Sequence, residues 1–430
     1  MPHRLNPPPN VRKIASTLEQ AGFETWCVGG AVRDAILGHQ HLDWDLATAA
    51  TPAQVRHIFR RTIPVGVQFG TVGVLDDDGV MHEVTTFRRD VKTDGRHAEV
   101  EFGASLDEDL ARRDFTINAI AYSPSRNEIR DPFEGQKDLV VGVIRAVGKA
   151  HDRMREDRLR ALRGMRFASR FNFRIDPDTW DAIVESAPEM GRLSAERVKQ
   201  EIEKTMDQVQ FPGKAFALWH CSGAFRTLVP QLADASVKDM VILDHLRIAK
   251  PELKRRSQRR ILRVAGLFSL APDHVERTLR DLRFSNWEVA WIGAVLLRWR
   301  ELMPIMESAL MADSPVSDPQ IRKWVSVSGR TRFAQIYRLA DAWWWARRER
   351  GDSAPEKRLV ESVYRRALRI AFNDPVEVSD LAVDGTDLAK LGIRGPEVGR
   401  TLRRLLEIVI KDPISNTEDV LLEAAKVREI

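Results

Sequence analysis

The chain has 430 residues, and its content of 43% hydrophobic and 30% charged residues is typical of a folded globular protein and excludes a disordered one. A formal net charge of +5 with clustered basic residues favours a polyanionic partner. The two cysteines and the lack of an apolar run of about 20 residues argue against a disulfide framework, a zinc site and a membrane span.

Helix and strand patterns alternate over the first 150 residues. Apolar residues at helical spacing predict a helix over residues 11–18, and "ETWCVGG" then has the pattern of a strand that runs into a glycine turn. The next helix opens at "AVRDAILG". Thr51 and Pro52 suit the N-cap and the first position of a helix over "TPAQVRHIFRR", and "TVGVLDDDGVMHEVTTF" predicts a β-hairpin.

Beyond about residue 150, helical patterns continue almost to the end of the chain. Ala161, Leu162, Met165 and Ala168 form one apolar stripe, and "TLRRLLEIVIKD" is amphipathic as well. Turns with proline or glycine, such as "FPGK" and "IRGPEVG", separate the helices. We therefore predict an α+β protein with an N-terminal mixed sheet and a helical remainder.

The stretch "HLDWDLATAATP", residues 41–52, contains two aspartates one residue apart. In an extended strand Asp43 and Asp45 share one face, while Trp44 and Leu46 take the other. Two carboxylates held this close repel each other unless a cation lies between them, and Mg2+ is the usual cation because it prefers oxygen ligands. A solvated acidic edge is the alternative interpretation of the pair alone.

Gly29 and Gly30, in "VGGAVRD", follow a predicted strand and precede a predicted helix. Glycines at such a place let backbone N–H groups approach a phosphate closely, and the helix N-terminus adds a favourable field. A glycine pair, a short helix and then an Asp-x-Asp strand would place a phosphate cradle and metal ligands at the same end of one sheet.

These residues begin a longer series of motifs. "GGAVRD" and "LDWDLAT" are followed, in order, by "EVTTFRRD", "RRDFTINAIAY", "DPFEGQKDL" and "REDRLRALRGMRF". Over roughly residues 24–205 the series resembles the class II tRNA nucleotidyltransferase and bacterial poly(A) polymerase family of the polymerase beta superfamily. The resemblance implies a palm-like nucleotidyltransferase head at 1–150, a helical neck at 151–215, a helical body at 216–350, and an RNA-binding helical tail at 351–430.

The resemblance also implies the chemistry of the head. Asp43 and Asp45 would hold two Mg2+ ions, one activating the RNA 3′-hydroxyl and the other holding the nucleoside triphosphate and the leaving pyrophosphate. Glu83, on the second strand of the hairpin, is a candidate third carboxylate near the metals. A single glutamate on a strand is more often a solvated residue, and that alternative stays open.

The motif "RRDFTINAIAY" places two arginines beside Asp114, with Asn118 four residues later. On a helix Asp114 and Asn118 share a face, and such a pair suits a ribose hydroxyl, which both donates and accepts. A role of Asp114 as a helix N-cap is a compatible alternative. The contacts to the nucleotide phosphate and ribose that the resemblance implies are Gly29, Gly30, Arg33, Arg112, Arg113, Asp114 and Asn118.

The stretch "REDRLRALRGMRF" is the candidate base-reading motif. On a helical wheel Glu156, Arg160 and Arg163 lie opposite the apolar stripe, with Asp157 at the edge of that face. In the family that it resembles, Asp157 and Arg160 pair with the edge of C or A as a template strand would, whereas U and G present the wrong donors and acceptors. A plain ion pair between Glu156 and Arg160 on a surface helix is the alternative.

The segment "FRRDVKTDGRHAEVEF" lies between the hairpin and "RRDFT". It corresponds to the mobile loop with which members of the resembled family switch from C to A. Its polar composition and Gly95 agree with mobility, although the segment is shorter than in many relatives. Arg88 and Asp90 are its candidate residues.

A basic segment, "KRRSQRRILR" at residues 254–263, is the candidate RNA-binding patch. Basic side chains replace the counterions of phosphates, so we expect RNA affinity to fall steeply with salt. A solvated helix face is an equally good interpretation. The residues of the patch are Arg255, Arg256, Arg259 and Arg260.

The predicted function is a cytoplasmic Mg2+-dependent enzyme that adds CCA to the 3′ end of tRNA from CTP and ATP without a template. Bacterial poly(A) polymerase, or an enzyme restricted to CC or to A, shares these motifs and is the nearest alternative. A non-catalytic RNA-binding protein of the same fold is a further alternative, which the intact Asp43 and Asp45 disfavour. The sequence implies no membrane and no protein partner.

Overall fold

The computed structural model of the protein describes residues 5–39, 43–93, 98–246 and 256–427. The chain forms two compact units, Met1–Ala233 and Asp234–Ile430. The first unit contains a mixed sheet, and the described part of the second unit is built from helices. This arrangement confirms the predicted α+β class with a helical remainder. The finer division into head, neck, body and tail stays a prediction.

A seven-stranded mixed sheet forms the first half of the first unit, in the order β3-β4-β5-β2-β1-β8-β9. Strand β1 is antiparallel to β2 and β8, whereas β2 is parallel to β5. Strands β6 and β7 form a separate antiparallel ribbon, and β10 and β11 a short parallel pair. In chain order the strands are β1 (Thr25–Val28), β2 (Asp45–Thr48), β3 (Thr62–Gly66), β4 (Thr71–Leu75), β5 (Met81–Thr86), β6 (Arg88–Thr93), β7 (Ala98–Phe102), β8 (Ala121–Ser123), β9 (Glu128–Arg130), β10 (Val143–Ile144) and β11 (Arg174–Ile175).

One helix of the first unit, α3, begins where the sequence predicts its cap. Thr51 accepts a hydrogen bond from Gln54 N in a capping box, and Pro52 occupies the first helical position of α3. That helix ends at Ile58 instead of residue 61, because Phe59 is extended and leads into β3. In chain order the helices are α1 (Pro9–Gln20), α2 (Gly30–Ile36), α3 (Pro52–Ile58), α4 (Leu106–Ala111), α5 (Gly135–Val141), α6 (Ala150–Glu156), α7 (Leu159–Phe171), α8 (Pro177–Ser186), α9 (Ala195–Gln208), α10 (Pro212–Ser222) and α11 (Ala224–Leu228).

The central strands of the sheet are covered on both faces. Trp26, Val28 and Ala47 point to one face, which we call the front face, and share a buried cluster with residues of α4. Leu46 and Val84 point to the opposite, back face and are fully buried, and α1 and α3 pack against the sheet. Every residue of β1 is buried in consequence. The strand end that carries Asp45 is therefore held rigidly between two packed layers.

The second unit consists of helices, and its triple tryptophan segment belongs to their packing. Trp344 is fully buried, and Trp343 Nε1 donates to Ser269 Oγ at 2.9 Å. Within the described ranges, no helix combines the length and the apolar character needed to cross a bilayer. The helices are α12 (Ile242–His245), α13 (Arg256–Ser269), α14 (Val275–Asp281), α15 (Asn286–Met311), α16 (Asp318–Ser328), α17 (Phe333–Glu349), α18 (Lys357–Asn373), α19 (Gly385–Lys390), α20 (Pro396–Lys411) and α21 (Glu418–Lys426).

Candidate active site

Asp43 and Asp45 lie at the beginning of β2, beside the glycine turn. Asp45 is the first residue of the strand and Asp43 is exposed just before it, while Trp44 between them is buried. The register pairs Asp45 with Val28, the residue that precedes Gly29. The structure thus brings both aspartates and the turn to one corner of the sheet.

Glu83 approaches Asp45 from the neighbouring strand, because β2 and β5 are parallel and in register. Burial, together with the charges of Asp43 and Glu83, raises the pKa of Asp45 to about 6 against the opposing effect of Arg113. A cation at this corner would relieve that repulsion. No group of three or more side chains in the described ranges is spaced as a preformed metal site. The groups that Asp43, Asp45 and Glu83 offer at this corner are carboxylates, whose oxygens are the ligands that Mg2+ prefers.

The glycine turn lies within reach of Arg113 and Asp45. Gly29 has φ of +74°, a conformation that side-chain-bearing residues rarely adopt. A Cβ atom on Gly29 would lie 3.2 Å from Arg113 Nη1 and 3.9 Å from Asp45 Oδ2. Gly30 is the first residue of α2. The positive φ and the close approach of Arg113 therefore both disfavour a side chain at Gly29.

Arg33 is buried behind the turn, with only 3% of its surface exposed. Its Nε donates to Asp34 Oδ1 at 2.7 Å, and its Nη1 donates to Asn118 Oδ1 at 2.5 Å. The guanidinium also lies over the ring of Phe171 in α7, 4.8 Å from the centroid. In this arrangement Arg33 orients Asn118, and its direct contact with a nucleotide stays a prediction.

Arg112 and Arg113 both bind Asp109, a buried residue of α4. Arg112 Nη2 lies 2.8 Å from Asp109 Oδ1, and Arg113 Nη2 lies 3.1 Å from Oδ2. Burial raises the pKa of Asp109, but the charges of Arg113 and Arg112 outweigh burial and lower it. Within the described ranges, the buried Nε of Arg113 has no hydrogen-bond partner. The sequence interpretation missed Asp109, although its spacing of three and four residues from the arginines indicated such a pair.

Asp114 and Asn118 are in contact, but they do not share an α-helix as predicted. Asn118 Nδ2 donates to Asp114 Oδ1 at 2.9 Å across a 3-10 turn at Thr116–Asn118. The chain leaves helical geometry at Phe115, whose backbone bridges to Ala146 and whose side chain is fully buried. Tertiary packing of Phe115 therefore overrides the helical pattern.

Asp114 also binds Arg163 of α7, with Asp114 Oδ2 2.7 Å from Arg163 Nη2. Burial alone would raise the pKa of Asp114, but the charge of Arg163 and the hydrogen bonds from Asn118, Arg163 and Phe115 N lower it to about 2. The carboxylate is therefore ionised at neutral pH. Its Oδ1 accepts from Phe115 N and Asn118 Nδ2, and its Oδ2 accepts from Arg163.

The predicted single helix over "REDRLRALRGMRF" is interrupted at Asp157, so the helical wheel holds for Arg160 and Arg163 of α7 but not for Glu156 and Asp157. Helix α6 ends at Glu156, Asp157 is extended with φ of −153°, and α7 begins at Leu159. The cause is local, because Asp157 Oδ1 accepts a hydrogen bond from Leu159 N at 3.1 Å in the manner of a helix cap.

Glu156 and Arg160 form the predicted ion pair, with Glu156 Oε2 2.6 Å from Arg160 Nη1. Arg153 binds the other carboxylate oxygen of Glu156. Arg160 Nη2 donates to the carbonyl of Arg112 at 2.8 Å, and Arg153 Nη1 donates to the carbonyl of Ala111 at 3.2 Å. Glu156 therefore orients two arginines that join the α6–α7 turn to the end of α4.

Asp157 binds a residue that the sequence interpretation did not identify. Asp157 Oδ2 lies 2.6 Å from Nη2 of Arg197, on α9. In the structure Arg163 binds Asp114, Asp157 binds Arg197, and Glu156 binds Arg160. The joint role of these four residues in reading the base stays a prediction. A separation of 40 positions between Asp157 and Arg197 leaves no local pattern that could reveal this pair.

The predicted mobile loop takes the form of the β6–β7 ribbon. Arg88 begins β6 and donates to the carbonyl of Phe69, and the backbone of Asp90 pairs with Val100. Gly95 lies outside the described residues. Roles of Arg88 and Asp90 in switching between nucleotides stay predictions.

The basic patch is described only in part. Arg255 lies outside the described residues, and Arg256, Arg259 and Arg260 belong to α13. Arg260 is partly buried. The RNA-binding role of the patch stays a prediction.

Three family models match consecutive parts of the chain. Residues 25–145 match the "Poly A polymerase head domain", residues 172–236 match the "RNA and SrmB- binding site of polymerase A", and residues 255–425 match "tRNA nucleotidyltransferase domain 2". The first match contains the carboxylate corner and the glycine turn. The matches together extend over most of the chain.

The relatives described next match this chain over almost their whole length and are named CCA-adding enzymes. A CCA-adding enzyme of Pediococcus pentosaceus is 32% identical over 96% of this chain and 96% of its own. A CCA-adding enzyme of Geobacillus kaustophilus is 33% identical over 94% of this chain and 93% of its own. The crystal structure of the Bacillus stearothermophilus CCA-adding enzyme with CTP covers 97% of this chain and 96% of its own, at a TM-score of 0.74 and 31% identity. A Thermotoga maritima CCA-adding enzyme complexed with tRNA has the same fold at a TM-score of 0.66, with 20% identity and coverage of 98% of this chain and 96% of its own.

Proposed function

Since the chain belongs to the CCA-adding enzyme family of tRNA nucleotidyltransferases, we propose that it works through two Mg2+ ions held by Asp43 and Asp45 with the help of Glu83. Its reaction is the addition of CCA to the 3′ end of tRNA from CTP and ATP, with release of pyrophosphate. Each step joins the RNA 3′-oxygen to the α-phosphorus of the incoming nucleotide.

The observation that carries the proposal is the crowding of Asp43, Asp45 and Glu83 around one corner of the sheet. Burial of Asp45 and the charges of Asp43 and Glu83 together raise the pKa of Asp45, so the ionised corner is costly in the absence of a cation. The available donors are all carboxylate oxygens, which suit Mg2+ better than a softer metal. Bound Mg2+ would increase the nucleophilicity of the RNA 3′-hydroxyl and neutralise the charge of the transferred phosphate and of pyrophosphate.

Gly29, Gly30 and Arg113 are the proposed seat of the triphosphate. Arg113 approaches the turn through its Nη1. Its buried Nε has no hydrogen-bond partner within the described ranges, so the guanidinium keeps a donor for a phosphate. Asp109 holds Arg113 so that its guanidinium does not need to be ordered on binding. Positive charge placed there in advance would stabilise the negative charge that develops on the leaving group.

Asp114 and Asn118 are proposed to bind the ribose, and Asp157 and Arg160 to read the base. Asp114 stays ionised at neutral pH, and a ribose hydroxyl would replace one of its present donors, Asn118 or Arg163. A carboxylate accepts from the exocyclic amine of C or A, whereas a guanidinium donates to a ring nitrogen or a carbonyl oxygen. Arg160 is held in place by Glu156 and the carbonyl of Arg112, which supports a fixed reading geometry.

A stepwise incorporation assay tests the activity. Purified protein receives tRNA that ends before CC, after C or after CC, with CTP and ATP offered singly and together. We expect two C additions followed by one A, each requiring Mg2+. Arrest after two Cs would indicate an enzyme restricted to CC, addition of A alone an enzyme restricted to A, and a long A tail a poly(A) polymerase. Absence of incorporation would indicate an RNA-binding protein without catalytic activity.

The double variant D43A/D45A tests the metal ligands. We expect it to lose incorporation while retaining tRNA affinity. The matched control is D77N/D78N, at the β4–β5 turn of the same sheet, where Asp77 pairs with Lys13 and Asp78 with Asn10. Full activity of the D43A/D45A variant would contradict the proposal.

We also propose that the protein acts in the cytoplasm. Its cysteines, Cys27 and Cys221, are both free thiols in the structure, which agrees with a reducing compartment. Fractionation of cells with an antibody to the protein tests this location.

A further inference from the structure

The front face of the sheet is covered over β1 and β2 but open over β5, β4 and β3. Residues of α4 cover Ala47 and the front side of β1. Farther along the same face, the side chains of Met81, Ile63 and Val65 are 37%, 41% and 43% exposed. On the back face of the same strands, Val72, Val74 and Val84 are buried. The open half of the front face thus exposes apolar side chains. The face of a sheet that contacts water is normally polar, and exposed apolar patches often mark interaction sites.

This open surface is continuous with the carboxylate corner. Glu83 pairs in register with Gly73, and Gly73 pairs with Ile63. Residues paired across strands point to the same face, and Glu83 is beside Asp45 on β2. A single row across four strands therefore runs from Asp45 through Glu83 and Gly73 to Ile63.

Gly73 makes the surface flat. A Cβ atom on Gly73 would lie 2.7 Å from Met81 Sδ and 3.0 Å from Val65 Cγ2, so these side chains close over the glycine. Any larger residue would push them away from the sheet. We call the surface formed by Ile63, Val65, Gly73 and Met81 the sheet shelf.

We propose that the sheet shelf binds the 3′-terminal nucleoside of the RNA substrate. The inference rests on the proposed function, in which the RNA 3′-oxygen lies at Asp43 and Asp45. The nucleoside attached to that oxygen must lie against a neighbouring surface, and Gly73 is two strand spacings from Asp45, ~10 Å along the row. On the other side of Asp45, the glycine turn and Arg113 are already assigned to the triphosphate.

The chemistry of the sheet shelf fits a terminal nucleoside that changes at each step. CCA addition extends a different 3′ nucleotide in each of its steps, so the seat for that nucleotide must accept any base. Apolar side chains contact a base or a ribose through its face and select no hydrogen-bonding pattern, whereas polar groups would. Arg61, two residues before Ile63, is exposed and donates to the carbonyl of Asp76. Its positive charge lies at the end of the sheet shelf that is farther from Asp45, where it would attract an RNA phosphate.

Two matched double variants test the sheet shelf. I63S/V65S removes the apolar surface, and V140S/V141S changes two exposed valines of α5 in the same unit. We expect the KM for tRNA ending in CC to rise about tenfold in I63S/V65S, as partial loss of two aliphatic contacts implies, with the KM for ATP unchanged. The control variant should match the wild type in both constants. An unchanged KM for tRNA, or an equal rise for ATP, would overturn the proposal.

Photo-crosslinking of the wild-type protein is an independent test. A tRNA whose last nucleotide is a photoreactive thiolated uridine is irradiated in complex with the enzyme, and the linked peptide is identified by mass spectrometry. A link within residues 62–66, 71–75 or 81–83 supports the sheet shelf, and a link elsewhere overturns it. If the wild-type protein adds no nucleotide to tRNA, the proposed function fails; if it is active and I63S/V65S behaves as the wild type, only the sheet shelf fails.

Discussion

Replacing Asp45 by asparagine should stabilise the metal-free protein while it abolishes nucleotide addition. The amide is nearly the same size as the carboxylate but carries no charge. Burial and the charges of Asp43 and Glu83 raise the pKa of Asp45 from 3.8 to about 6. A carboxyl group whose pKa is raised by folding opposes folding once it is ionised.

The size of the effect follows from the pKa shift. A rise of roughly 2 units corresponds to ~3 kcal/mol at 1.36 kcal/mol per unit, and partial exposure of Asp45 reduces this to ~2 kcal/mol. The penalty is absent below pH 3.8, where the group is neutral in both states, and complete above pH 6. The advantage of the asparagine variant should therefore be full at pH 8 and should shrink as the pH falls from 6 towards 4.

Calorimetric unfolding in EDTA at pH 8 and pH 5 measures this difference, with D77N as the control. Asp77 is 75% exposed and pairs with Lys13, so its replacement should not stabilise the protein. Added Mg2+ should raise the Tm of the wild type more than that of the Asp45→Asn variant. If the variant is no more stable than the wild type at pH 8 in EDTA, the carboxylates are not crowded and the electrostatic argument for a cation at this corner is refuted.

Three further predictions concern the nucleotide seat and the RNA. Gly29→Ala should lower the free energy of unfolding by about 1–3 kcal/mol and raise the KM for CTP, because Gly29 has positive φ and the added Cβ would contact Arg113. The control is Gly38→Ala: Gly38 also has positive φ, but no atom lies near its added Cβ. This control should destabilise the protein without changing the KM for CTP. Arg163→Met removes the ion pair with Asp114 and should lower the free energy of unfolding, measured in urea, by about 2 kcal/mol at pH 7. This loss should diminish as the pH falls from 4 towards 2, because Asp114 then becomes protonated. The tRNA dissociation constant, measured between about 50 and 200 mM salt, should rise by orders of magnitude, and a flat response would contradict binding through phosphates.

Local patterns predicted the fold class and the carboxylate corner because their determinants lie close together in the sequence. Strand alternation around Trp44 fixed which face Asp43 and Asp45 share, and the capping residues of α3 fixed where that helix begins. The nearness of Glu83 followed only from the register of two strands. A register of this kind depends on the packing of the whole sheet.

The neck shows where such patterns fail. The helical wheel assumed one continuous helix, but Asp157 caps a new helix and turns towards Arg197. A helical pattern and the local hydrogen bond of Asp157 with Leu159 N compete at that position, and the local hydrogen bond ends the first helix. Arg163 likewise binds a residue that the sequence analysis did not pair with it, because Asp114, in the segment after α4, offers a buried carboxylate. Pairs of this kind depend on tertiary contacts that periodicity does not encode.

The contacts around Asp109 connect the proposed base reader to the proposed metal ligands. Arg160 donates to the carbonyl of Arg112, Arg112 and Arg113 share Asp109, and the charge of Arg113 acts on Asp45. Every link is an ion pair with a buried carboxylate, a hydrogen bond to the backbone, or a short-range charge interaction. An enzyme without a template must position the base and the reacting phosphorus with its own side chains, and a misplacement of about 1 Å can cost on the order of a hundredfold in rate. Joining both proposed roles through one buried carboxylate would couple the position of the base that is read to the position of the phosphate that reacts.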